Sequence, residues 1–135
     1  MKTQTLKNKS QAAFSTLCWG FYMILNGLSM IIFPNATLAA MGFELTTEIL
    51  IRMLGLLSLV LGFYYIQMGR YYFAPFYSWK IMGHISGILI MTFFYLQGLA
   101  PATIFMICLS DAMAAAWTAW GISQDRKKAL QATLV

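Results

Sequence analysis

Four long apolar segments, separated by short polar stretches, dominate the chain; they cover approximately residues 12–33, 47–69, 79–97 and 101–122. A helix needs about 20 apolar residues to cross a hydrocarbon core about 30 Å thick. Pro34, Gly98 and Pro101 mark breaks between the segments. The pattern predicts an all-α fold. We expect one membrane domain over residues 1–135, a polytopic four-helix bundle with antiparallel up-down neighbours. Its basic C-terminal tail at 123–135 can continue as a helix along the membrane surface.

The first apolar segment has an alternative interpretation as a secretory signal peptide. It follows a basic start and precedes the small residues Ala39 and Ala40. The apolar part of a signal peptide spans about 7–15 residues, and the uncharged run from Ala12 to Phe33 is longer than that. The length favours a retained membrane helix.

Composition agrees with a membrane protein and argues against a soluble one. Hydrophobic residues make up 60% of the chain and charged residues 10%, whereas soluble domains carry about 25% charged residues. A small soluble domain would expose much of that apolar surface. The net charge of +5 does not predict nucleic-acid binding, because the basic residues flank apolar segments, as in membrane proteins. Membrane lipids are the expected surroundings.

The basic residues fall on one side if four helices alternate in direction. Eight of the nine lie in the N-terminal tail, the second connection and the C-terminal tail: Lys2, Lys7, Lys9, Arg70, Lys80, Arg126, Lys127 and Lys128. The connections at 35–46 and 98–101 contain none. Since Lys and Arg concentrate in cytoplasmic loops, we predict that both termini are cytoplasmic, in what is expected to be a bacterial inner membrane.

Three polar residues within the apolar segments form the first candidate site. Asp111, Arg52 and Asn26 lie toward the predicted outer half, and ionisable residues inside membranes usually face the bundle interior or a cavity. They are interpreted as a cluster that either anchors a ligand or proton, or joins helices through hydrogen bonds. Glu48 competes with Asp111 for Arg52, because it lies one helical turn earlier.

Secondary candidates are aromatic or titratable residues near the same segments: Glu48, Tyr64, Tyr65, His84 and Trp117. His84 is the only histidine, and packing at the interface is the simpler explanation for it. No catalytic motif and no metal-ligand spacing is present. The sequence therefore favours a role other than catalysis and identifies no cofactor.

Small residues at helical spacing predict close helix packing. Gly83 and Gly87 form a GxxxG motif in the third segment, and Gly55, Ser58 and Gly62 lie along the second. Such residues let helix backbones approach each other in membranes.

Several of these segments also resemble a known family. The stretches RMLGLLSLVLGFYYIQMGR and SDAMAAAWTAWGI, joined by a proline and aromatic loop and a helix containing Gly-His, are similar to DoxX-like and related small bacterial membrane proteins. The resemblance covers about residues 15–123. It implies an inner-membrane four-helix bundle, in a group of which some members are linked to quinone-reducing complexes, and it singles out Arg52, Asp111 and Trp117.

Three functions remain open at this point. The first is an accessory or scaffolding subunit that binds partner membrane proteins or a second copy of itself, as the small-residue stripes suggest. The second is a binder of a lipophilic small molecule such as a quinone or lipid, with a redox-linked role as one alternative; the polar cluster beside aromatic residues motivates it. The third is a proton-coupled carrier, for which four helices alone enclose little volume.

Overall fold

A computed structural model describes residues 10–47 and 49–133. This part of the chain contains five helices and no strand: α1 (Gln11–Ile32), α2 (Pro34–Ala40), α3 (Leu50–Arg70), α4 (Ala74–Leu96) and α5 (Ile104–Thr133). Helices α1, α3, α4 and α5 are each long and apolar enough to cross a membrane. The predictions of an all-helical chain and of four potential spans are confirmed at that level.

Helix α4 begins earlier than predicted, at Ala74 rather than near residue 79. Pro75 lies in its first turn, where a missing N–H group leaves no hydrogen bond unmade. The proline and aromatic stretch that was predicted as a loop therefore starts the helix. As a consequence, Lys80 lies inside α4 and is not a loop residue.

Two other boundaries also differ from the prediction. Helix α5 starts at Ile104 rather than 101 and continues through the basic tail to Thr133. A short helix, α2, follows α1 directly, with Pro34 in its first turn. Pro34 thus marks both the end of α1 and the start of α2.

Helices α1 and α3 contact each other backbone to backbone through glycines. An ideal Cβ placed on Gly20 would lie 2.9 Å from the carbonyl oxygen of Gly62, and one placed on Gly27 would lie 2.6 Å from that of Gly55. The Ser58 hydroxyl donates a hydrogen bond to the carbonyl of Met23 at 2.9 Å. Close packing at Gly55, Ser58 and Gly62 was predicted and is confirmed.

The GxxxG motif of α4 behaves differently. A Cβ on Gly83 would meet no atom within 4 Å, and one on Gly87 would meet only Asp111 Oδ2, at 3.5 Å. The predicted close approach therefore does not occur at Gly83 within this chain. The neighbouring His84 is buried instead, so the rotation of α4 turns Gly83 outward.

The N-terminus of α1 is capped by a side chain from α5. The Asp125 carboxylate accepts hydrogen bonds from the Ser10 hydroxyl at 2.6 Å and from the Gln11 amide at 3.0 Å. Ser10 Oγ in turn accepts from the Ala13 amide at 3.0 Å. Gly121 permits this contact, because a Cβ there would lie 2.6 Å from the Ala12 nitrogen. The otherwise unpaired amides of the first turn of α1 are satisfied in this way.

Candidate functional site

The buried polar residues of α4 are Lys80 and His84, which are 2% and 7% exposed. Four residues apart, they lie on the same face of the helix. Sequence interpretation placed Lys80 in the connection before this helix, so it no longer counts among the basic residues of that connection. A buried ammonium group is costly unless its surroundings stabilise it.

Two aromatic rings and one carbonyl surround the Lys80 ammonium. Its Nζ lies 5.9 Å from the centroid of the Trp19 ring and 6.0 Å from that of Tyr65. It also donates to the carbonyl of Ser15 at 3.4 Å. Within residues 10–47 and 49–133, no carboxylate forms an ion pair with it. The cation is therefore held by cation–π attraction from aromatic faces.

His84 is hydrogen-bonded to Asp111 across the α4–α5 interface. The Nδ1 to Oδ1 distance is 3.0 Å, and the side chains are 6% and 22% exposed. The Trp19 ring meets the His84 ring edge-on, with centroids 4.7 Å apart. The other ring nitrogen, Nε2, is buried and has no hydrogen-bond partner among the described residues.

His84 lies near the middle of α4, whereas Lys80 lies one turn closer to the start of the helix. His84 is ten residues from the start of α4 at Ala74, or about 15 Å along the helix at 1.5 Å per residue. That is about half of a hydrocarbon core 30 Å thick. We call this set the central polar cluster: Ser15, Trp19, Tyr65, Lys80, His84 and Asp111.

A groove of about 520 Å³ runs between α1 and α5 beside the cluster. Its lining is mostly aromatic and small: Ser15, Cys18, Trp19, Tyr22, Ser110, Met113, Ala114 and Trp117. Trp19 belongs to both features, because it lines the groove and contacts Lys80 and His84. The groove can accept an apolar molecule. Of the central polar cluster, Ser15 and Trp19 line it, whereas Tyr65, Lys80, His84 and Asp111 do not.

The structure does not bring the predicted trio together. Asp111 pairs with His84, whereas the Arg52 guanidinium donates to the carbonyl of Ile31 near the end of α1. The last carbonyls of a helix lack intrahelical partners, so they attract a nearby cation. No described hydrogen bond joins the half-buried Asn26 to either residue. Arg52 and Asp111, whose pairing was one of two alternatives, therefore make separate contacts.

The secondary candidates separate into three groups. Tyr65 and His84 belong to the central polar cluster, and Trp117 lines the groove and packs edge-on against Phe14 at 5.9 Å. Tyr64 is 52% exposed and contacts Phe63, away from the cluster. Glu48 lies outside the described residues, so its predicted competition for Arg52 stays a prediction.

Sequence interpretation missed Ser15, Trp19 and Lys80. The signal was present, because Lys80 and His84 are spaced to share a helix face. It was overlooked because Pro75 was interpreted as belonging to a loop. In the described residues, no three His, Cys, Asp or Glu side chains come together as metal ligands.

In comparisons with known proteins, no protein-family profile, no curated protein and no solved structure matches the chain.

Proposed function

We propose that the four long helices form an antiparallel bundle in a bacterial inner membrane, with both termini in the cytoplasm. The glycine contacts between α1 and α3 occur in reverse order along the two helices, which supports opposite directions. The bonds from Ser10 and Gln11 to Asp125 support a common side for the two ends. The cytoplasm is favoured for that side by the basic residues that precede α1 in the sequence, end α3 and extend α5: Lys2, Lys7, Lys9, Arg70, Arg126, Lys127 and Lys128. Cysteine-accessibility mapping tests this, and labelling of the two tails from opposite sides would disprove it.

Within that bundle, the proposed function is binding of a lipophilic small molecule with a polar head, of the quinone or lipid class. The observation that carries it is the position of Trp19, between an open apolar groove and two buried titratable side chains. Ligand sites typically have volumes of about 300–1,000 Å³, with mostly apolar walls and a few placed polar groups. The groove of about 520 Å³ has this character.

Lys80 and His84 do not line the groove, so a polar head meets them only where it displaces the Trp19 ring, which contacts both. The Lys80 ammonium has three N–H donors, of which the Ser15 carbonyl accepts one at 3.4 Å. A quinone or ester carbonyl is a suitable acceptor for another. Among the described residues Nε2 of His84 has no hydrogen-bond partner, and it is the second group with which a polar head can pair. Burial makes these bonds selective, because an unmatched polar group there costs about 1–3 kcal/mol.

The test uses a protein in which Trp79, Trp117 and Trp120 are replaced by phenylalanine, so that fluorescence reports on Trp19 alone. A short-chain ubiquinone analogue is titrated into the protein in nanodiscs, and a soluble phospholipid forms a second arm. We expect saturable quenching. Lys80→Met should weaken the affinity about tenfold, since it removes a charge-assisted hydrogen bond. Lys127→Met, on the exposed tail, is the matched control.

Two results would contradict this function. One is quenching that rises linearly with ligand, as expected of simple partitioning into the bilayer. The other is an equal affinity for the Lys80→Met protein and its control. Native mass spectrometry after mild detergent extraction provides an independent readout, in which the wild-type protein should retain an apolar ligand.

A second function, binding of a partner helix or of another copy of the chain, is favoured by one observation. The GxxxG face of α4 is open at Gly83, and such faces associate with helices in membranes. In a background lacking Cys18 and Cys108, Gly83→Cys should form an oxidative cross-link. Ile85→Cys is the control, since it lies about 200° further around the helix. Equal cross-linking at both positions, or none at either, argues against this interface.

A further inference from the structure

A second cavity, separate from the groove, lies at the end of the bundle where α1 begins. It has a volume of about 260 Å³ between the start of α1, the α3–α4 hairpin and the basic extension of α5. Its polar lining consists of Tyr72, Tyr77, Ser78, Asp125, Arg126 and Lys128. We call it the terminal pocket. In the proposed topology it lies at the cytoplasmic interface.

Tyr72 adopts a strained backbone conformation beside this pocket. Its φ angle is +54°, the left-handed region that usually requires glycine. The turn after α3 imposes this conformation, because the Phe73 amide reaches back to the Met68 carbonyl at 3.2 Å. In this conformation the ring centroids of Tyr72 and Tyr77 lie 5.9 Å apart. Burial, together with the nearby Asp125 carboxylate, raises the pKa of Tyr72 despite an opposing hydrogen bond with Ser10. Its hydroxyl is therefore a proton donor at neutral pH.

The donors around the pocket favour an anion. Among the described residues that line it Asp125 is the one carboxylate, and it already accepts hydrogen bonds from Ser10 and from the first amides of α1. The Arg126 guanidinium lines the same cavity, and Lys128 is a second basic residue of its wall. Helix α4 also starts here, at Ala74, and no described side chain caps its N-terminus. A helix N-terminus carries about half a positive charge.

We propose that the terminal pocket binds a phosphate group. Guanidinium and hydroxyl donors are suited to the oxygens of phosphate, and the pocket combines them with an uncapped helix end. The phosphate can belong to the headgroup of an anionic lipid in the adjacent leaflet, since basic pockets between membrane helices bind such headgroups. It can also belong to a soluble molecule. This inference does not depend on the ligand proposed for the groove.

The test compares Arg126→Gln with Lys127→Gln. Both remove one positive charge from adjacent residues, but Lys127 does not line the pocket. Native mass spectrometry is carried out on protein from mixed micelles containing phosphatidylglycerol and phosphatidylcholine. We expect the wild type and Lys127→Gln to retain phosphatidylglycerol preferentially. Arg126→Gln should retain it about tenfold more weakly, in line with the loss of a charge-assisted hydrogen bond.

A second arm distinguishes the sources of phosphate. Inorganic phosphate is titrated against each variant while the ³¹P linewidth is followed. Binding of inorganic phosphate that Arg126→Gln weakens and Lys127→Gln leaves intact, without lipid selectivity, supports the site and assigns it to a soluble ligand. Equal effects of the two substitutions, or no binding in either arm, overturn the proposal. Circular dichroism of both variants verifies that they fold.

Discussion

Helices α1 and α3 meet through glycine backbone, whereas α4 and α5 are joined through a histidine and an aspartate. At the first interface, Gly20 and Gly27 of α1 face Gly62 and Gly55 of α3, seven residues apart on each helix. At the second, His84 and Asp111 share a hydrogen bond, and Tyr95 and Phe105 make an edge-on contact further along the helices, with centroids 4.9 Å apart. Gly83 of the α4 GxxxG motif faces outward.

The difference shows that a small-residue motif does not by itself determine which face of a helix is buried. In a membrane, an apolar side chain gains little free energy by exchanging contact with lipid for contact with another helix. Packing and polar contacts therefore decide the rotation of a helix about its axis. Helix α3 has a buried serine in line with its glycines, and the two features favour one face. In α4 the buried lysine and histidine lie on a different face from Gly83, and the polar face is the one that is buried.

The largest expected effect compares alanine at Gly20 with alanine at Gly83. A Cβ on Gly20 would lie 2.8 Å from the Ile66 nitrogen and 2.9 Å from the Gly62 oxygen, so the backbones must separate. We expect a loss of about 2 kcal/mol in the free energy of unfolding. Gly83→Ala meets open space and should be neutral or stabilising by up to about 1 kcal/mol, because alanine favours helices. Unfolding with SDS in mixed micelles measures both, and equal losses would refute the asymmetry.

A double-mutant cycle on His84→Ala and Asp111→Ala should show the next largest effect. We expect a coupling free energy of about 1–2 kcal/mol, the range for hydrogen bonds between membrane helices in model peptides. The same cycle on Arg52→Ala and Asp111→Ala is the control and should give about zero, since separate contacts are additive. Coupling to Arg52 that exceeds coupling to His84 would restore the cluster predicted from sequence and contradict the structure.

A smaller effect is expected at the α1–α5 contact, which is polar like the α4–α5 interface but lies at the bundle end. Asp125→Ala removes the acceptor of three hydrogen bonds at the start of α1. Loss of a helix cap typically costs about 1 kcal/mol. Faster hydrogen exchange should appear in the first turn of α1, while the middle of the helix stays protected. Lys127→Ala is the matched control, and unchanged exchange in the Asp125→Ala protein would argue against the cap.

Helix number was predictable because hydropathy is a local property. The uncharged run from Ala12 to Phe33 indicates α1 with no knowledge of its neighbours, and α1 is found over Gln11–Ile32. The predicted helix boundaries were wrong where one residue is compatible with two local structures. Pro75 can break a helix or begin one, and which of these occurs depends on the turn that precedes it. The basic tail gave no apolar signal, yet it continues α5.

The sequence identified several of the candidate site residues but not which of them contact each other. Asp111 and His84 were both identified, but the predicted depth of His84 was wrong, because the helix begins at Ala74 and not near residue 79. Their pairing depends on how far each helix is rotated about its axis, and a single sequence does not encode that angle locally. The partner of Arg52 was unpredictable for the same reason. Its guanidinium donates to a carbonyl near the end of α1, and no pattern in the sequence of α3 indicates that contact.

The sequence by itself determined that the chain is helical, that four of its helices can cross a membrane, and which polar residues lie within them. Length and apolarity suffice for this, because each helix satisfies its own backbone hydrogen bonds. Only the tertiary structure decided that Lys80 is buried between Trp19 and Tyr65, that Asp111 meets His84, and that Asp125 caps α1. These contacts join residues distant in the chain, and they depend on the rotations of several helices at once.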